Sequence, residues 1–336
     1  MDQSRPVAGG RIRSGTRKVR ALGDQLFRII TGAAALTVVA IFALTLLLLV
    51  LTSDASITRF GPSFLWGVVW NPNQTQLSPI VFGALPAIYG TLLVAGIGML
   101  IGIPLSLGIA MFLTELSPGW LRGSLSFVIE LLAAIPSVVY GLWGALVLVP
   151  MMSSTVEPGL HSTLGGVPGI AGAFAEPASG FNGYGYLTAG IILAIMVIPT
   201  ISSVTREAFN AVPTDQREAA LSLGATRWET TRMSVIPYSR RGILGAVTLG
   251  LGRAIGETIA VVLVIGNAFA PQGQISGSLF ASGTSIASWI ANEFGEATGI
   301  ERAALLELGL VLLAVSLAIN VVGRLLAGRG IGARGG

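Results

Sequence analysis

The chain has 336 residues, 52% of them hydrophobic and only 11% charged, with a mean hydropathy of +0.78, whereas a soluble domain is about a quarter charged. That composition excludes a soluble globular protein and predicts an integral membrane protein. There is no cysteine, so disulfides and thiolate chemistry are excluded, and the single His161 lies in a Gly-rich stretch with no companion metal ligand. The formal net charge of +4 reads as a topology signal or as attraction to anionic membrane lipid, and it gives no support to a nucleic-acid partner.

Apolar stretches long enough for the roughly 20 residues that cross a hydrocarbon core occur near 30–52, 82–113, 125–151, 186–204, 242–269 and 303–326. The predicted fold is therefore all-α and polytopic, with about six transmembrane helices. The first run follows a basic, polar leader, is longer than a signal-peptide core and lacks a small-residue cleavage site, so it is expected to be retained. The second and third runs are over-long and interrupted by Gly102, Pro104 and Pro136. Neighbouring helices in a bundle tolerate such interruptions, which predicts tilted or kinked spans.

Basic residues fall on one side of this arrangement. Seven lie in the N-terminal tail (Arg5, Arg11, Arg13, Arg17, Lys18, Arg20, Arg28), six in segment 205–241, three at the C-terminal end, and Arg122 lies in the turn near 114–124; the opposite loops hold only Arg59 and Arg302. The positive-inside rule then places both termini in the cytoplasm. The expected organisation is a basic tail over 1–29, a transmembrane domain over 30–326 with a cytoplasmic segment over 205–241, and a short tail over 327–336. The outer loops, near 53–80, 152–185 and 270–302, are rich in Gly, Pro, Ser and Asn and read as loops or short re-entrant pieces. They serve as connections or as a docking surface. Trp66, Trp70 and Trp120 read as interfacial anchors. Glu130 reads as a packing partner for Arg122 or a pathway group, and Glu115 and Arg122 as cytoplasmic-surface residues.

The most organised polar stretch runs from Asn210 to Gly242. Pro213, Thr214 and Asp215 are helix-start chemistry, and the run through Ala219, Ala220, Leu221 and Leu223 stops at Gly224, suited to a left-handed helix end. Thr226 and Glu229 match a capping box, which predicts a second short helix running to about Val235 and ended by Pro237. A helix, a Gly turn and a helix between two spans reads as a rigid knob for a groove in a partner, or as a plain linker; a DNA-binding reading is disfavoured by its place between spans.

Arg253 lies twelve residues beyond Arg241, about 18 Å along a helix and near mid-bilayer. A central Arg costs roughly 2.5 to 3.5 kcal/mol on insertion scales and normally faces the bundle interior or a wet cavity. The i, i+4 spacing predicts Glu257 beside it. Ala246, Gly250, Gly256, Ala260 and Asn267 share that stripe, with Leu251, Ile255, Ile259 and Val262 opposite. Two readings explain the stripe equally: an ion pair that locks helix packing, or a fixed positive charge lining an anion route.

The stretch "EAALSLGATRWETTRMSVIP", with Glu218, Ala219, Ala220, Gly224 and Pro237 at the expected spacings, resembles the EAA loop of ABC importer permeases, departing from it at Ser234 and Ile236. Together with "LLAAIPSVVYGLWG" (131–144) and "LGLGRAIGETIAVVLVIGN" (249–267), it makes the chain similar, from about 80 to 325, to the permease subunits of the phosphate-specific ABC importer, the C-type rather than the A-type. The resemblance implies that the EAA loop docks into an ATP-binding subunit and that Arg253 and Glu257 line the phosphate route. It implies a second, A-type permease, an ATP-binding subunit dimer and an external phosphate-binding protein as partners, with no catalytic residue, metal or cofactor in this chain. ATP would be hydrolysed by the partner, since no phosphate-binding loop of its own is present. A sulfate or molybdate importer shares this logic. A stand-alone channel leaves the loop unexplained, and a membrane enzyme lacks a catalytic set.

Overall fold

In a computed structural model the described residues are 15–73, 79–269 and 275–328. Arg5, Arg11, Arg13, Arg329 and Arg334 lie outside them. The chain divides into two compact units, residues up to Leu51 and residues from Thr52 onward. Most of the first unit is one apolar helix, α1 (Gly15–Phe60), which extends beyond the expected span 30–52 at both ends.

The second unit opens with α2 (Ser63–Trp66) and two short antiparallel strands, β1 (Trp70–Asn71) and β2 (Val81–Phe82). Then come α3 (Leu85–Met111), α4 (Gly119–Ala134), α5 (Ser137–Leu164) and α6 (Tyr186–Asn210). The polar hairpin follows as α7 (Thr214–Ser222) and α8 (Arg227–Thr230), and the chain continues through α9 (Ile236–Gly256), α10 (Ile259–Val262), α11 (Ile286–Glu293) and α12 (Gly299–Gly328). The fold is all-α apart from the two-residue strands. Five helices among the described residues are long and apolar enough to cross a membrane: in α1, α3, α5, α6 and α12. The sixth expected span, 242–269, is broken: α9 carries its first half, and the second half is α10 and irregular chain.

The third expected span also needs redrawing. Residues 125–151 do not form one helix, because Ile135 takes an extended backbone (φ −68°, ψ 127°) before Pro136, as the residue before a proline prefers. The spanning helix starts at Ser137 and runs to Leu164, so the first part of the expected outer loop 152–185 is helical. Helix α4 buries no residue. Pro104 and Pro199 lie inside continuous α-helix, but at three other prolines the helix widens. Pro150, Pro158 and Pro237 each sit two residues after a π turn (Gly144–Leu148, Met152–Val156, Thr231–Val235). A proline removes one donor and crowds the carbonyl four residues back, and a wider turn relieves both.

Helices α3 and α6 form the main packed pair, and α9 lies against α3, α6 and α12. The core contains Val94, Met99, Ile192, Met196, Val197, Ile201 and Ile255. Close approach is possible because Gly98 and Gly102 present backbone to α6: a Cβ at Gly102 would stand 2.7 Å from Val197 Cγ2. In lipid, where helix association relies on van der Waals fit, small residues four apart serve this purpose.

The outer segments are packed rather than loose. Leu279 and Ser278 hydrogen-bond to the carbonyls of Ala173 and Ala175, and the Ile286 N–H donates to Thr91 Oγ1 at 2.8 Å, tying α11 to α3. Trp70 is not a lipid-facing anchor: it packs among Phe64, Phe82, Phe269 and Trp289. Trp66 and Trp120 are 72% and 78% exposed, as anchors require.

Candidate functional site

Arg253 sits in the last turn of α9, half-buried, and its Nη1 donates to Thr200 Oγ1 at 3.1 Å. Thr200 follows Pro199 within α6. Tyr140 of α5 lies within reach of the guanidinium charge, and its hydroxyl donates to the Leu132 carbonyl at 2.8 Å, satisfying a backbone group freed by the Ile135–Pro136 break. The expected partnership with Glu257 does not form. Helix α9 ends at Gly256 and Glu257 is extended (φ −70°, ψ 127°), so the two side chains do not share a helical face. The ion pairs given among the described residues, Arg206–Glu130 and Arg217–Glu115, do not include Arg253 or Glu257.

The sequence "GLGRAIGET" permits the break but does not place it: three glycines and a β-branched Thr lower local helix propensity, and tertiary contacts decide where the helix stops. Broken α10 packs on α5, itself entered through a break. Beyond it Gly266 (φ +90°) and Asn267 (φ +50°) turn the chain, and Asn267 Nδ2 donates to the Val262 carbonyl at 2.7 Å. Ile255 lies in the core, not on an oily outer face, whereas Ile259 is exposed. Irregular backbone at membrane depth is tolerated only where protein buries it or water fills a cavity beside it.

The polar hairpin follows local chemistry. Gly224 has φ +88° and ends α7 as expected, and the capping box forms: Thr226 Oγ1 accepts from the Glu229 N–H, and Glu229 Oε2 accepts from the Thr226 N–H at 2.8 Å. The Thr226 N–H and the Thr226 hydroxyl, both donating to Glu229 Oε2 at 2.8 Å, hold the Glu229 carboxyl below its ordinary range. Pro237 does not end the second helix. It sits in the first turn of α9, where a missing N–H costs nothing, and the π turn Thr231–Val235 carries the helix into it.

Glu218, Ala219, Gly224 and Pro237 are exposed and Ala220 is half-buried. Beside them Leu223 is 90% exposed, with Leu221, Trp228 and Met233 also exposed, an apolar face on a polar segment.

Two residues that do not belong to the motif hold this hairpin. Arg217 donates to the carbonyls of Phe209 and Val212 at 2.7 Å and to Glu115 Oε1 at 3.0 Å, anchoring α7 to the end of α6. Ser234, the departure from the motif, donates to the Gln216 carbonyl at 3.2 Å and ties the two arms together. Glu130 pairs with Arg206 at 3.1 Å rather than with Arg122, which instead caps the Thr114 and Ser117 carbonyls. Buried Glu157 accepts from the Gly183 N–H at 3.2 Å. Sequence gave no sign of that contact, because its partner is a backbone group 26 residues away.

The fold is a bundle of broken and π-widened helices with an exposed polar hairpin between two of them. Residues 102–329 match the family described as "Binding-protein-dependent transport system inner membrane component". The phosphate transport system permease protein PstC of Haemophilus influenzae is 46% identical over 303 residues, covering 90% of this chain and 92% of that one. The probable phosphate transport system permease protein PstC of Methanocaldococcus jannaschii is 36% identical over 299 residues, covering 88% and 91%. Among solved structures, a bacterial alginate ABC transporter in complex with an alginate pentasaccharide-bound periplasmic protein superposes with a TM-score of 0.58 at 17% identity, covering 92% of this chain and 98% of that one. The chain therefore belongs to the binding-protein-dependent transport system inner membrane components and, within them, to the PstC-type permeases.

Proposed function

We propose that this chain is the permease subunit of an ATP-driven importer of inorganic phosphate, forming half of the translocation route with a second, A-type permease. An ATP-binding subunit dimer drives it from the cytoplasm and an external phosphate-binding protein delivers the anion. Relatives bearing the phosphate name over nine tenths of their length support the substrate. The observation that carries the route is Arg253: a guanidinium in a membrane-embedded region, held by Thr200 at a helix break and not neutralised by Glu257.

An arginine stays protonated at any working pH and its planar fork suits a tetrahedral oxyanion. With one terminal nitrogen on Thr200, the rest of the fork is left for the anion. Glu257, on the extended residue past the helix end, supplies a nearby negative charge that keeps the anion from being trapped. On the cytoplasmic side, Glu218, Ala219, Ala220 and Gly224 form the rigid knob that enters the ATP-binding subunit, with exposed Leu223, Trp228 and Met233 supplying apolar anchors. Pro237 fixes where that knob passes into α9. Motion of the hairpin is thereby transmitted to the helix that bears Arg253. Both termini face the cytoplasm, the side of the arginine-rich segment 205–241.

The test is ATP-driven uptake of radiolabelled phosphate in vesicles containing the whole complex, with unlabelled phosphate, sulfate or molybdate as competitors. Competition by phosphate alone is expected. Equal competition by sulfate or molybdate would assign the route to another oxyanion, and uptake without the ATP-binding subunit would make the chain a channel.

A further inference from the structure

A second cluster of cations lies far along the chain from Arg253, where the hairpin meets the bundle. A cavity of about 360 Å³ is lined by Glu115, Arg122, Asn210, Arg217, Arg227 and Thr230, among others. Liquid water takes about 30 Å³ per molecule, so the space holds an oxyanion with several waters. Three guanidiniums face one carboxylate there, and the carboxylate is already held by Arg217 at 3.0 Å.

The donors are not used up. Arg122 bonds carbonyls through Nη2 alone, and Arg227 reaches the Glu115 carbonyl through Nη1 alone at 3.4 Å. Arg122 Nη1 and Arg227 Nη2 thus have no hydrogen-bond partner among the described residues. A second, independent observation points to a ligand. Thr230 borders the cavity, is 3% exposed, and its Oγ1 has no hydrogen-bond partner among the described residues. A buried hydroxyl without a partner is costly, by about 1 to 3 kcal/mol in general, and such groups are rare.

We propose that this cavity is a binding site for a phosphate-type oxyanion, either free inorganic phosphate or the phosphodiester headgroup of a lipid. Its lining comes from four places: the end of α3 and its π turn (Thr114, Glu115), α4 (Arg122), the end of α6 (Asn210) and the hairpin (Arg217, Leu221, Arg227, Thr230). An occupant bridges the hairpin to the helices it must move, and so stiffens the junction through which ATP-driven motion passes. The cytoplasmic placing of the cavity and its effect on ATP-driven motion rest on the function proposed above.

The test uses the membrane complex in nanodiscs, free of nucleotide and of soluble binding protein. Binding of radiolabelled inorganic phosphate is measured in neutral phosphatidylcholine, and retention of phosphatidylglycerol by native mass spectrometry in anionic discs. The variants are Arg227→Gln, whose single 3.4 Å contact makes it the least structural of the three arginines, Thr230→Val, which keeps the shape, and Arg253→Gln. If the site takes free phosphate, Arg253→Gln retains phosphate binding, and adding Arg227→Gln or Thr230→Val to it weakens that binding about tenfold or more. If it takes a headgroup, phosphate does not bind but retained phosphatidylglycerol is lost in the same two variants. No phosphate binding and no retained lipid, or ligand unaffected by either variant, overturns the proposal. Loss in Arg253→Gln alone would instead locate the binding in the proposed route.

Discussion

The hairpin and the Arg253 junction are both polar interruptions of an apolar chain, but they are built in opposite ways. Residues 214–235 are shaped mainly by contacts among themselves, a left-handed glycine, a capping box and the Ser234–Gln216 link between the arms, with Arg217 fastening them to the bundle. They bury little and present Leu223 and Trp228 outward. The Arg253 junction is shaped from a distance, by Thr200 on α6 and by packing of α10 against α5. A locally built element can be displaced as a rigid body without losing its form, whereas a junction built from several helices changes whenever those helices move. That difference suits one to receive motion and the other to convert it.

The largest effect is expected from attacking the scaffold that the junction needs and the hairpin does not. Gly102→Val drives a branched side chain into Val197 across the α3–α6 contact, and overpacking of this kind costs roughly 1 to 3 kcal/mol. Folded yield and thermal unfolding in detergent should both fall, while proteolysis of the hairpin region should keep its wild-type pattern until the whole protein unfolds. Thr200→Val removes the acceptor that holds Arg253 and keeps the volume. A hydrogen bond to a charged group contributes about 1.5 to 3 kcal/mol, so uptake should drop about tenfold or more with yield unchanged.

Gly224→Ala places a Cβ where φ is +88°, a strain of about 1 to 2 kcal/mol. Open space surrounds that Cβ, so the fold survives. Hydrogen exchange should quicken within 214–235 and not in α9, and quickening in α9 as well would erase the contrast drawn above. The smallest effect concerns Glu229. Its carboxyl is depressed in the folded protein, so its contribution is present above the unfolded pKa of about 4.3. It is lost as pH falls through the lower folded value. Helix protection at Thr226–Thr230 should therefore weaken on acidification in the wild type and be flat with pH in Glu229→Gln.

The same contrast explains what was readable from sequence. The helix start near Thr214, the Gly224 stop and the Thr226–Glu229 capping box are legible because their chemistry is local. The apolar runs gave the helices and, through their length, the membrane. The break at Glu257 was not legible, because a 3.6-residue stripe runs through it unbroken and only the packing of α5 and α10 decides where the helix stops. Pro237 and Pro136 were misjudged in opposite directions. One was absorbed by a π turn and the other divided an expected span. Arg217, Thr200 and Tyr140 were missed because their partners are carbonyls and side chains on other helices.

The most direct measurement of the central claim is phosphate uptake and ATP hydrolysis, recorded in the same vesicles, for the whole complex with Arg253→Gln against wild type. The account predicts that uptake falls about tenfold or more while the complex assembles and still hydrolyses ATP. Uptake within about twofold of wild type, a difference of only a few tenths of a kcal/mol, would contradict it and leave Arg253 as a packing residue held by Thr200.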